Sequence, residues 1–137
     1  MNVKTPTLTP AEALMTVAVL AMDSDDSYSL VEMQRLRAMA WLHPLFQDID
    51  SVEQFVGRRF ADLRARGRTA LLEEARAALS MPLRETAYAW AAELVYSDGA
   101  VVPKEYVFLD KLANCFEVPG PLARKIQVVT AIRRRTS

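Results

Sequence analysis

The sequence predicts an all-α fold with an internal helix–turn–helix repeat. Three observations carry that expectation. Apolar residues recur at helical spacing in one segment after another, and no stretch sustains the alternation of a half-buried strand. Helix-start signals stand ahead of these segments, with Ser or Thr three residues before Glu or Gln, or Pro at the first turn. An acid, a short turn and a glutamate are written twice, first as Asp25-Asp26-Ser27-Tyr28-Ser29-Leu30-Val31-Glu32 and again as Asp98-Gly99-Ala100-Val101-Val102-Pro103-Lys104-Glu105.

The elements follow in order. Thr9-Pro10-Ala11-Glu12 reads as a capping box with proline at the first helical position. The helix it opens runs to about Met22 and is apolar nearly all round, the mark of a central helix. Ser29-Leu30-Val31-Glu32 is a second capping box. Its helix shows Met33, Leu36, Met39 and Ala40 on one face and stops near Pro44. Ser51 opens a third helix with Val52, Phe55, Val56, Phe60 and Leu63 as its stripe, and Gly67 closes it. Thr69 to Leu79 follows, with Leu71, Leu72, Ala75, Ala78 and Leu79 inward. Pro82 restarts the chain, and Leu83 to Ser97 packs Ala87, Trp90, Ala91, Leu94 and Val95. Asp98-Gly99 is a turn dipeptide. Pro103 starts a helix carrying Tyr106, Leu109, Leu112, Ala113 and Phe116, which Val118-Pro119-Gly120-Pro121 breaks. Leu122, Ile126, Val129 and Ile132 define the last helix, ending in Arg133-Arg134-Arg135.

Aligning residue 18 with residue 91 without gaps gives identities at Ala18/Ala91, Ser24/Ser97, Asp25/Asp98, Glu32/Glu105, Leu36/Leu109 and Ala40/Ala113. Two such units can pack about a pseudo-twofold axis.

Composition narrows the function classes. The chain has 137 residues, enough for one domain with a proper core. Seventeen basic and seventeen acidic residues cancel, which argues against bulk binding to nucleic acid or anionic lipid. The single Cys115 forms no internal disulfide and fits a reducing compartment. The polar start and the short apolar run from Ala13 to Met22 are expected to be neither a signal peptide nor a membrane span, which needs roughly 20 residues. The expectation is a cytoplasmic protein with residues 1–9 and 134–137 as tails around one domain at 10–133.

No phosphate loop, Ser–His–Asp set or Cys–His pair is present, so the chain is expected not to be an enzyme. The acids are the one plausible chemical site. A carboxylate at a helix C-terminus faces the negative end of the dipole at a cost of roughly 0.3–1 kcal/mol. Asp25 and Asp98 both sit near such an end, so each calls for a donor or a cation. Glu32 and Glu105 stand where a capping glutamate meets unpaired N–H groups. Asp98, Gly99, Val101 and Glu105 fit the back half of a calcium loop, but Leu94 and Tyr96 stand where its first carboxylates belong. In the first copy Asp23 fits, Ala21 does not, and Asp26 replaces the glycine. Two readings stay open: caps and turn formers, or a weak divalent-cation or interaction site that Asp23 and Asp26 could join.

Ala91-Ala92-Glu93-Leu94-Val95-Tyr96-Ser97-Asp98-Gly99 through Glu105, then Leu109, Leu112 and Ala113, resembles the TerB-like superfamily. That group includes tellurite-resistance TerB proteins and the N-terminal domain of DjlA co-chaperones. The resemblance spans roughly residues 10 to 132, and the first copy departs from it at Asp26, where the family often has glycine. It implies a compact all-α bundle of about seven helices. It also implies a stress-response or metal-binding role for the acids, which falls here on Asp25, Glu32, Asp98 and Glu105, with a divalent cation as the cofactor. A protein partner is expected, as an interaction module or as a co-chaperone-like scaffold.

His43, alone of its kind, lies before Pro44 at a helix end. Cys115 reads as core or half-buried, and Trp41 and Trp90 read as core rather than ligand platform. Arg58, Arg59, Arg64, Arg66 and Arg68 form one basic cluster, and Arg124, Lys125 and Arg133 to Arg135 another. Both read as solvated faces, with an acidic partner as the functional alternative.

Overall fold

Helices form wherever a start signal meets an apolar stripe. The computed structural model describes residues 8–24, 30–47, 51–98 and 101–135, with Leu30 and Asp98 described as backbone alone. The elements are α1 (Pro10–Met22), α2 (Leu30–Leu42), a 3-10 turn at Pro44–Phe46, α3 (Val52–Arg66), α4 (Arg68–Ala78), α5 (Met81–Val95), a second 3-10 turn at Tyr96–Asp98, α6 (Pro103–Phe116) and α7 (Gly120–Arg133). Among the described residues there is no strand, so the all-α expectation holds.

Three of the predicted end signals are built as written, while Ser29 of the second capping box lies outside the described residues. Thr9 Oγ1 accepts the Glu12 N–H at 3.1 Å, and Glu12 Oε1 accepts the Thr9 N–H at 2.9 Å, which satisfies two helix-end donors reciprocally. Ser51 Oγ accepts the Gln54 N–H at 3.2 Å. Gly67 closes α3 at φ +87°, where its N–H donates to the Leu63 carbonyl at 2.9 Å, and a side chain there would be strained. Two boundaries differ from expectation. The fifth helix starts at Met81, because proline is tolerated inside a first turn, and its end tightens into the 3-10 turn before Asp98. The sixth ends on Glu117 in the left-handed region (φ 59°), a step ahead of the proline–glycine break.

α1 lies at the centre. Ala11 and every residue from Ala13 to Met22 are buried. The one polar side chain among them, Thr16, donates its hydroxyl to the Glu12 carbonyl at 2.8 Å. α1 packs chiefly against α5 and α4, and more lightly against α3. α5 carries α6 and α7 on its other sides. Each large apolar side chain so buried contributes roughly 1.5–3 kcal/mol.

The repeat is physical as well as textual. Its first helices, α1 and α5, pack on each other. Ala18 and Ala91 are both fully buried, as are Leu36 and Leu109. Ser24 Oγ donates to the Ala21 carbonyl at 2.7 Å and Ser97 Oγ to the Leu94 carbonyl at 2.6 Å, the same bond at equivalent positions. The second helices dock differently. α6 runs along α5, whereas α2 lies against the 3-10 turn at Tyr96–Asp98, α5 and the turn at Pro44–Phe46.

The first arginine cluster is less solvated than its sequence suggests. Arg59 is buried between α3 and α4, with Nη2 on Glu74 Oε1 at 2.6 Å and Nη1 on Asp62 Oδ2 at 3.0 Å. Arg66 Nη2 takes the other Glu74 oxygen at 2.8 Å. Burial pushes the Glu74 carboxyl up, but the hydrogen bonds and charges of Arg66 and Arg59 outweigh it and hold it below the usual carboxylate range. A depressed carboxyl contributes stability that is complete above its unfolded-chain pKa, near 4.3, and is lost as the pH falls through the folded value. Glu74→Gln should therefore destabilise the protein most near pH 6, and its deficit against wild type should shrink steadily toward about pH 3 in urea titrations. A deficit independent of pH would show that the charge of Glu74 does not clamp the α3–α4 hairpin.

Candidate functional site

Two places have functional geometry, and the first is the pair of acidic corners. Asp25 and Asp26 lie outside the described residues. Asp98 ends the 3-10 turn after α5. Glu32 and Glu105 occupy the first turns of α2 and α6, and both are deeply buried, at 2% and 4% exposure. The Glu105 carboxylate accepts the Val102 N–H at 3.0 Å, so it caps its own helix. Valine has no acceptor to return the bond, and only this half of a capping box is made. A buried carboxylate is costly without donors or a cation, and both copies bury one at the same position.

Asp23 shows how the first corner deals with the dipole. It is the C-cap residue of α1, and Arg68 Nη1 meets its Oδ2 at 2.7 Å. Arg68 Nη2 also donates to the Leu20 carbonyl at 3.1 Å, and its guanidinium lies 5.4 Å from the centre of the Phe108 ring. One arginine thus neutralises the acid, satisfies an end carbonyl of α1 and reaches α6. At the second corner Tyr96 donates its hydroxyl to Gln127 Oε1 at 3.1 Å, and Gln127 Nε2 donates to the Tyr88 hydroxyl at 2.8 Å. Burial, then the neighbouring Tyr106, push the Tyr96 phenol up to about 12. This chain of bonds ties the corner to α7. Among the described residues no group of three or more His, Cys, Asp or Glu side chains is placed to hold a metal ion.

The second place is one that helical spacing alone does not reveal. Trp41 is 84% exposed and Leu42 81%, at the end of α2. This corrects the expectation of Trp41 in the core. Trp41 follows the buried Ala40 by one residue, about 100° round the helix, and so leaves the inward face that Leu36 and Ala40 share. Val129 and Ile132, part of the spacing that defines the last helix, are exposed too, with Val128. α7 docks on α5 through its first turns and through Ala123, Ile126 and Thr130, and nothing among the described residues covers its outer stripe.

Between α2, α5 and α7 lies a groove of 530 Å³. Met39, Leu42, Trp90, Ile126 and Val129 give it apolar walls, and Glu93, Lys125 and Arg133 its charges. Trp90 is buried as expected and stacks on Phe46 with ring centres 5.0 Å apart. His43 meets both rings edge-on at 5.6 Å, and its Nδ1 accepts the Leu45 N–H at 3.2 Å. Cys115 lies elsewhere, half-buried with Glu73 3.8 Å from its sulfur. Burial and that carboxylate raise the thiol pKa, the reverse of an activated nucleophile. No helix among the described residues is long and apolar enough to cross a membrane.

The chain matches no protein-family model, no curated protein and no solved structure. The site therefore stands on its own geometry.

If Glu105 acts through its acceptor oxygen, Glu105→Gln should keep most of the wild-type stability, while Glu105→Ala should lose about 1 kcal/mol or more. Chemical denaturation of the two variants checks this. Equal, large losses would mean that the negative charge itself is required at the corner.

Proposed function

We propose that this chain is a non-enzymatic, TerB-like interaction module that docks a protein partner in the groove between α2, α5 and α7. One observation carries the reading: Leu42 and Val129, both largely exposed, line an apolar groove whose wall is Trp90. Large apolar side chains exposed together beside a recess are the usual composition of an interface core. A stress-response setting, tellurite-resistance-like or co-chaperone-like, rests on the resemblance alone.

A photo-crosslinking amino acid substituted at Leu42 should give a discrete protein adduct in cells, and one at the exposed Ala77 of α4 should not. Val129→Asp should abolish the adduct while shifting stability by about 0.5 kcal/mol or less. Adducts of equal yield at both positions, or none at Leu42, would contradict the docking reading.

A second reading is a weak divalent-cation site at the acidic corners, built from Asp25, Glu32, Asp98 and Glu105. The docking of α2, which carries Glu32, against the turn that ends at Asp98 favours it, because acids from the two copies then share one region. A cation at about 100 times its dissociation constant should add roughly 2.7 kcal/mol to stability. Asp98→Asn with Glu105→Gln should abolish that gain. An unchanged thermal midpoint at millimolar Ca²⁺, Mg²⁺, Mn²⁺ and Zn²⁺ would count against the site.

A further inference from the structure

We infer that the occupant of the groove is an amphipathic helix of another protein with acidic residues flanking its apolar seam; the inference rests on the docking reading above. The charge around the groove is one-sided. After Glu117 the sequence holds no Asp or Glu, yet it carries Arg124, Lys125, Arg133, Arg134 and Arg135. Glu93 is the one acid lining the groove among the described residues, and its charge is already met. Its Oε1 takes Arg134 Nη2 at 2.9 Å and Arg133 Nη1 at 3.6 Å. Lys125 meets no carboxylate among the described residues and lines the groove directly. The rim is thus positive beside an apolar floor.

Shape selects a helix. α7 offers Ile126, Val129 and Thr130 along one wall, and Leu42 faces them from the end of α2. A recess between two helix ends takes side chains repeating at i, i+3 or i+4, and i+7, the anchors of a helix laid in a groove. α7 spans 14 residues, roughly 21 Å at 1.5 Å per residue, so about four turns of a partner can lie alongside it. A flat anionic bilayer would meet the exposed valines and cations but would leave the Trp90 wall of the recess unfilled.

The probe is a displayed library of helical peptides with a fixed leucine seam and flanking positions randomised between Glu and Lys. Selection on the intact chain should enrich Glu over Lys by tenfold or more at the flanks. Selection on a folded Lys125→Glu, Arg133→Glu chain should reverse the preference. Val129→Asp, checked by its thermal midpoint, should remove enrichment altogether. Absence of a Glu preference would overturn the inference. So would binding to phosphatidylglycerol vesicles with no peptide enrichment, or a concentration-dependent dimer that Val129→Asp dissolves. A Leu42 adduct with a partner while the library shows no Glu preference would sink the acidic helix and leave the docking reading standing.

Discussion

The contact between α1 and α5 is the constraint on which everything else in this molecule depends. Both helices are rich in alanine where they are buried, with Ala13, Ala18 and Ala21 on one and Ala87, Ala91 and Ala92 on the other. Small side chains let two backbones approach closely, and the larger Leu14, Leu20, Leu94 and Tyr88 fill the space around them. α1 has no solvent-facing stripe and is held only by its neighbours. Every other helix is a layer on this pair: the α3–α4 hairpin on α1, and α2, α6 and α7 on α5.

That arrangement sets the two corners and leaves one face open. Because α1 and α5 end in equivalent turns, each corner repeats the same serine-to-carbonyl bond and the same buried glutamate. The cost of acids beside helix C-termini is offset locally, visibly so where Arg68 grips Asp23 and the last turn of α1. The repeat stops being symmetric at its second helices. α6 has a full partner in α5, whereas α2 ends beyond the core, and its last residues, Trp41 and Leu42, project past the packed layer. The groove is the consequence of that mismatch.

Much of the fold is legible in the sequence because its signals are local. The Thr9–Glu12 box, the Ser51 cap, Gly67 and Pro103 each act within one turn, and each sits where its chemistry places it. The Ser24/Ser97 and Glu32/Glu105 identities read correctly as equivalent positions. Burial of whole faces is less legible. Helical spacing tells which residues share a face, but whether another helix covers that face depends on tertiary docking. Hence spacing alone places Trp41 inside, and charge alone places Arg59 in solvent although Glu74 draws it between two helices. The absence of acids after Glu117 is the one sequence signal for the open side of α7. It gains its meaning when the groove puts Lys125 and Arg133 beside Leu42.

Native-state hydrogen exchange, resolved by residue, tests the central claim most directly. Amides of α1 and α5 should share the slowest exchange, at the free energy of global unfolding, while the end of α2 and the last turns of α7 exchange through smaller openings. Protection that is highest in α7, or an α1 that opens independently of α5, would contradict the account.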